Sequence, residues 1–243
     1  MHTLLRKIVS EFLGTGFLVA AVVGSGIMGE RLAGGNVAIA LLANTIATGA
    51  ALFALILTFG PISGGHFNPA VTLVDAMEHG VSWKLAGCYI PAQCAGGICG
   101  AIAAHLMFSL PAISVSSHAR SGSAQAFSEF IATFGLICVI WGCTRKRSDM
   151  VAFAVAAYIT AAYWFTSSTS FANPAVTIAR SLSDTFAGIR PVDVPPFVTA
   201  QLAGAIAATL LFRWLAPSVL DSKQIIVPTE LTNSLDTISG GNP

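Results

Sequence analysis

Three stretches of this chain contain no Asp, Glu, Lys or Arg: Leu32 to Val74, Leu85 to Ala119, and Met150 to Ala179. A helix that crosses a bilayer needs about 20 predominantly apolar residues, so these stretches have room for several spans. Composition agrees, since only 9% of the 243 residues are charged, against about 25% in a soluble domain. The chain therefore reads as a polytopic helical protein whose main surroundings are the lipid bilayer. A soluble enzyme and a secreted disulfide module are excluded. The formal net charge of +1 leaves no polyanion footprint, so nucleic acid is excluded as a partner. The five cysteines (Cys88, Cys94, Cys99, Cys138, Cys143) lie in apolar runs without a CxxC pair, and read as small buried hydrophobes. Arg6 and Lys7 precede an apolar stretch from Ile8 to Gly29. That stretch exceeds the ~7–15 residues of a signal-peptide core and reads as a true first span.

The chain also repeats itself in order, which marks a duplicated unit. Ser10-Glu11-Phe12-Leu13-Gly14-Thr15 matches Ser128-Glu129-Phe130-Ile131-Ala132-Thr133, and Asn68-Pro69-Ala70-Val71-Thr72 is identical to Asn173-Pro174-Ala175-Val176-Thr177. Ala92-Gln93-Cys94-Ala95-Gly96 echoes Ala200-Gln201-Leu202-Ala203-Gly204. Two units follow, residues 1–120 and 121–215, ahead of a polar tail, 216–243, that reads as disordered and cytoplasmic. Spans are expected near 8–29, 37–59 and 85–108, then 126–143, 150–166 and 195–215. Three spans per unit make the second unit enter the membrane from the opposite side, so the repeat is inverted. Lys and Arg concentrate on one set of loops, with Arg145-Lys146-Arg147 between spans four and five. That asymmetry predicts a multi-pass inner-membrane protein with both termini cytoplasmic.

Gly60-Pro61-Ile62-Ser63-Gly64-Gly65-His66-Phe67 interrupts the second span, and helix signals resume at once: Asn68 suits an N-cap and Pro69 the first helical position. The resulting half-helix, 68–78, and its twin, 173–182, are each ~15 Å long, half the ~30 Å hydrocarbon core. Entering from opposite faces, they would meet at the midplane with their Asn-capped ends together. Irregular backbone at that depth must line a water-filled path or be buried in protein. The carbonyls of Gly64, Gly65, His66, Ser170, Phe171 and Ala172 are therefore candidates to line a pore. Each Asn would cap its own helix through its side-chain oxygen and leave the amide NH2 to a passing solute. Two helix N-termini place about +0.5 charge each at one spot, which repels cations. Such a lumen suits small, neutral, hydrogen-bonding solutes.

Ser63-Gly64-Gly65-His66-Phe67-Asn68-Pro69-Ala70-Val71-Thr72 resembles the first signature of the aquaporin (major intrinsic protein) family, and Asn173-Pro174-Ala175 resembles its second. The likeness covers about residues 5–215. It implies an all-α fold of six transmembrane helices and two re-entrant half-helices, a pore in each protomer of a homotetramer, no enzymatic chemistry and no cofactor. It also implies that Glu11 and Glu129 accept hydrogen bonds from the re-entrant loops, in keeping with the rule that an intramembrane carboxylate has a partner. Gln93 and Gln201 read as helix–helix or loop supports.

The family's selectivity ring corresponds, by counting from the two Asn residues, to Thr48, Ala161, Ser170 and Val176; a slip of two would put Tyr163 in place of Ala161. Water-selective members carry an aromatic and a histidine in the first two positions, and nearly all members carry arginine in the last. This chain has none of them. A ring without arginine should be wider and less polar, and it lacks one charge that opposes cations. Val at that position resembles the aquaporins of bacterial arsenic-resistance operons, which points to arsenous acid alongside glycerol, urea and water. Arg180 reads as snorkelling to the interface, with a substitute charged mouth as the alternative. His105 reads as a satisfied helix-end residue and the Ser-rich segment 109–125 as an outer connection. A secondary transporter also uses inverted repeats and broken helices, but would carry a coupling residue at midplane, whereas Glu11 and Glu129 lie near the starts of their spans. An intramembrane serine protease is disfavoured because no Gly-x-Ser-Gly segment is present.

Overall fold

The computed structural model describes residues 3–145 and 147–216, so Lys146 and nearly all of the polar tail lie outside the described residues. Eight α-helices follow in order: α1 (Leu4–Leu32), α2 (Val37–Ser63), α3 (Pro69–Met77), α4 (Trp83–Met107), α5 (Ser123–Thr144), α6 (Val151–Phe165), α7 (Pro174–Arg180) and α8 (Val194–Leu215). Short 3₁₀ turns at Ser148–Met150 and Pro191–Asp193 lead into α6 and α8. Counting those turns, six helices are long and apolar enough to cross a membrane. The remaining two, α3 and α7, have nine and seven residues. Long, long, short, long is thus written twice, and the fold is all-α among the described residues.

Local chemistry sets most of the boundaries. The Asn36 side chain caps α2 through the N–H groups of Ala38 and Ile39, and Ser82 caps α4 through that of Leu85. At the other end of α2 the sequence reading stops too early. The helix continues past Gly60-Pro61 to Ser63 and ends at Gly64, whose φ of 99° makes a left-handed cap. A single proline removes one helical hydrogen bond, but the chain turns only where a residue without Cβ can take positive φ.

Small residues let the long helices approach closely. Helix α1 packs on α4, and α5 packs on α8 in the same way. A Cβ added at Gly96 would lie 2.1 Å from the Phe12 carbonyl oxygen, and one at Gly100 equally close to that of Gly16. Such close backbone contact is typical of helices packed without a hydrophobic driving force between them. The outward faces are apolar, with Phe17, Ile46, Trp83 and Trp214 exposed. Of the cysteines, Cys99 is exposed and the other four are half-buried, none in a disulfide. Cys138 and Cys143 pack against the core cluster, so the expectation of buried residues holds only in part, because an apolar side chain at this depth loses nothing by facing lipid.

The candidate pore

The two segments that precede the short helices follow the same backbone path. In the first, Gly64, Gly65 and Phe67 have φ of 99°, 65° and 50°; in the second, Thr169, Ser170 and Ala172 have 62°, 49° and 48°. The second loop achieves with side-chain-bearing residues, one of them β-branched, what the first does largely with glycine. Left-handed backbone at such residues costs of order 1–3 kcal/mol each and persists only where neighbours impose it.

One carboxylate imposes each path. Glu11 accepts from Ser63 Oγ at 2.6 Å, His66 N at 3.0 Å, Phe67 N at 2.7 Å and Gln93 Nε2 at 2.8 Å. Glu129 accepts from Phe171 N at 2.8 Å, Ala172 N at 2.9 Å and Gln201 Nε2 at 2.6 Å. Both carboxylates are fully buried. The glutamines donate onward to Thr72 Oγ1 and Thr177 Oγ1, so each loop is tied to the short helix that follows it.

Asn68 and Asn173 meet as the inverted repeat requires, and each uses both ends of its amide. The Asn68 oxygen caps α3 through Ala70 N, while Nδ2 donates to the Ala172 carbonyl at 2.8 Å. The Asn173 oxygen caps α7, and its Nδ2 donates to the Phe67 carbonyl, also at 2.8 Å. The expectation of a wholly free NH2 is therefore corrected. One of the two N–H bonds on each Asn joins the halves, because a loop carbonyl buried at midplane needs a donor, and one remains for a solute.

A lumen runs past this junction with a volume of ≈ 50 Å³, enough for about four waters at ~10–15 Å³ each by this measure. Asn68, Asn173, Gly65, His66, Phe171, Ala172, Thr48 and Val176 border it. Its remaining wall is aliphatic and paired across the duplication: Leu18 with Leu136, Val22 with Ile140, Leu52 with Val155, Ile56 with Ile159, and Val71 with Val176 itself. Gly64 and Ser170 do not border this lumen, and Pro69, Ala70, Pro174 and Ala175 are buried behind it.

Ala161 is a clear correction. It is exposed on the outward face of α6. Two residues on, Tyr163 is buried, and its hydroxyl donates to Thr48 Oγ1 at 3.2 Å. The connection from α6 to Asn173 is shorter than the count assumed. The period of α6 pointed the same way, since Val155 and Ile159 continue at Tyr163 and not at Ala161.

The end of the lumen that carries the α4–α5 and α7–α8 connections, the loop face, also departs from expectation. Arg180 does not snorkel. It is 1% exposed, its Nε donates to the Ala187 carbonyl, and its guanidinium carbon sits 3.4 Å from the centre of the Phe171 ring. Nor is segment 109–125 a bare connection. Ser114 N and Ser116 N donate to Leu182 and Ser181 carbonyls, Ser117 binds Asp184, and Arg120 reaches inward. The Arg120 side chain donates to Gly188 O at 2.8 Å and Ser168 O at 3.1 Å, and lies 4.9 Å from the same Phe171 ring. Burial pushes Arg120 down to about 10, which leaves it a cation at neutral pH. Burial, then Arg120 and Arg180, push the His118 imidazole below its usual range. His105 is satisfied as expected, between Ala112 O and Ser183 Oγ.

Opposite the loop face, the duplicated positions carry the opposite charge. His66 Nε2 lies 3.2 Å from Asp75 Oδ2, both buried, where the second half has Phe171 and Arg180. Asp75 and Arg120 are pore-end residues that sequence reasoning missed, whereas Tyr163 is the alternative it offered to Ala161. The common repeat offset of Asp75 and Arg180 was the available signal for the first.

Known proteins agree with this architecture. The description Major intrinsic protein matches residues 1–150 and 146–239. Aquaglyceroporin AqpS of Rhizobium meliloti (strain 1021) is 54% identical over 212 residues, spanning 87% of this chain and 91% of that protein. Aquaporin NIP1-4 of Oryza sativa subsp. japonica is 31% identical over 216 residues, 84% of this chain and 75% of its own. In fold, the crystal structure of the aquaglyceroporin from Plasmodium falciparum superimposes with a TM-score of 0.68 at 20% identity, over 88% of this chain and 98% of that one. With six spans, two short helices meeting at an Asn pair and a lumen past that pair, the chain belongs to the major intrinsic protein family, whose members are channels and not enzymes.

Proposed function

We propose that this protein is a passive channel for small uncharged hydroxylated solutes: glycerol, water and arsenous acid. The observation that carries this is the ring beside the lumen, where Val176 stands with Thr48 and Tyr163 and no guanidinium projects from the position after the second Asn-Pro-Ala. A solute crossing it meets an aliphatic wall, the remaining N–H of Asn68 and of Asn173, and the positive ends of two helices. That combination favours a neutral molecule with several oxygens over an ion. The 54% identity to a protein named aquaglyceroporin supports glycerol, and the Val after the second motif supports arsenous acid. The family resemblance implies a homotetramer, and the Lys/Arg bias of the loops favours an inner-membrane protein with both termini cytoplasmic and the loop face outside. A coupled transporter is disfavoured because Glu11 and Glu129 are each saturated by loop and glutamine donors.

Stopped-flow light scattering on vesicles containing the full-length protein tests this reading under inward gradients of glycerol and, separately, arsenous acid. Re-swelling faster than in empty vesicles is expected for both. Glycerol entry without arsenous acid entry would leave a water and glycerol channel with no metalloid role. Osmotic shrinkage with no solute entry would overturn the wide-ring assignment.

A further inference from the structure

We infer that Arg120 and Arg180 together form a cation barrier at the loop face, one helical turn beyond the ring, in place of the guanidinium missing at Val176. The inference rests on the channel reading above.

Both guanidinium groups flank one ring, that of Phe171, whose residue borders the lumen. They come from different parts of the chain, Arg180 from the end of α7 and Arg120 from the α4–α5 connection. Neither has an acidic partner among the described residues. Arg120 donates to the carbonyls of Gly188, Ser168 and Phe186 and to Thr169 Oγ1, and Arg180 Nε donates to Ala187 O. These acceptors are neutral, so they satisfy N–H groups without cancelling charge.

The nearby carboxylates are committed elsewhere. Asp193 binds the Arg190 guanidinium at 3.0 and 3.2 Å and takes only the backbone N–H of Arg120. Asp184 is held by Ser117, and Glu129 by its loop. Two positive charges without a salt-bridge partner among the described residues thus flank one ring, and they outnumber Glu129, which acts on both from a distance, in a low-dielectric mouth where a field is strong.

A purely structural strut would not need this arrangement. Like charges repel, and Arg180 Nη1 is buried with no hydrogen-bond partner among the described residues, as is Ser170 Oγ beside Phe171 in the chain. Phe171 borders the lumen and the two guanidinium groups stand behind it, so they act on a solute through their field, which repels a cation and leaves a neutral molecule unopposed. The barrier therefore discriminates by charge while admitting neutral oxygens.

The test compares entry of glycerol and of methylammonium, a small monovalent cation, into vesicles containing the full-length protein. Wild type should admit glycerol and exclude methylammonium. Arg120→Met and Arg180→Met should each raise the methylammonium-to-glycerol flux ratio by about tenfold or more. Arg180→Lys keeps the charge but not the planar fork, and should stay within roughly threefold of wild type. An unchanged ratio in a Met variant that conducts glycerol overturns the inference, as does an Arg180→Lys channel that leaks like Arg180→Met. If Arg180→Met fails to assemble, Arg120→Met decides alone, because its residue lies in a connection and not in a pore helix. A wild type that passes neither solute overturns the channel reading itself and this inference with it.

Discussion

Replacing Glu129 by Gln and by Ala separates the need for an acceptor from the need for a charge. The carboxylate accepts from Phe171 N through Oε1, and from Ala172 N and Gln201 Nε2 through Oε2. Glutamine can turn its carbonyl toward Ala172 and Gln201 and keep two of the three bonds, leaving the Phe171 N–H against an NH2 group. One buried donor without a partner costs about 1–3 kcal/mol. Alanine leaves all three donors stranded, about 3–9 kcal/mol by the same scale, comparable with the ~5–15 kcal/mol that holds a typical fold. It also removes what keeps Thr169, Ser170 and Ala172 at positive φ. At roughly 2–4 °C per kcal/mol for a chain of this size, Glu129→Gln should lower the thermal midpoint by about 2–12 °C and retain glycerol flux. Glu129→Ala should yield no stable pore. Fluorescence-monitored unfolding in detergent, beside vesicle flux, reads both. An Ala variant melting within about 2 °C of wild type would refute the claim that this carboxylate holds the loop.

Val176→Arg should cut glycerol and arsenous acid flux more than water flux, and equal loss of all three would argue against Val176 as part of the constriction. Tyr163→Phe removes the hydroxyl that bridges to Thr48 and should change glycerol flux by about 2–12-fold, the worth of one neutral hydrogen bond; Ala161→Phe, facing outward, should leave it unaltered in the same swelling assay. Gly100→Ala forces a methyl against the Gly16 carbonyl and should destabilise the α1–α4 contact by about 1–3 kcal/mol, read as a lower melting midpoint. Two hydrogen bonds from Ser117 hold Asp184 below its usual 3.8. The ordering that this carboxylate gives segment 109–125 is therefore complete above that value and lost as pH falls through the lowered one. Hydrogen exchange at the Ser117 amide should show a wild-type advantage over Asp184→Asn that is constant near neutrality and vanishes in acid.

What was legible in the chain was whatever the duplication wrote twice. Glu11 with Glu129, Gln93 with Gln201, and the two Asn-Pro-Ala segments stand at matching places, and the structure puts all of them around the two re-entrant loops. Spans were legible because lipid leaves long uncharged runs, although Pro61 suggested an ending that Gly64 supplies. The rest depended on lengths and partners that a one-dimensional reading does not carry. A shorter α6–α7 connection displaced Ala161 in favour of Tyr163. Arg180 is buried because Phe171 and the Ala187 carbonyl receive it, and neither partner is visible in its spacing from Val176. Segment 109–125 looked like a polar connector because its hydrogen-bond partners lie some 70 residues away, as in the pairing of Ser117 with Asp184 at a separation of 67.

The reciprocal bonds across the midplane also bear on how such a protein is made. Asn68 must wait for the carbonyl of Ala172, 104 residues later, and Phe67 for the amide of Asn173, 106 residues after it. At about 5–20 residues per second, the first half emerges from the ribosome several seconds before its counterpart exists. During that interval its re-entrant loop has a buried carbonyl and a buried amide with nothing to meet, a costly state in hydrocarbon. The early half must therefore remain near water or in the company of the insertion machinery. The pore closes around its axis only when the last third of the chain arrives, which makes lumen formation the concluding step of biogenesis.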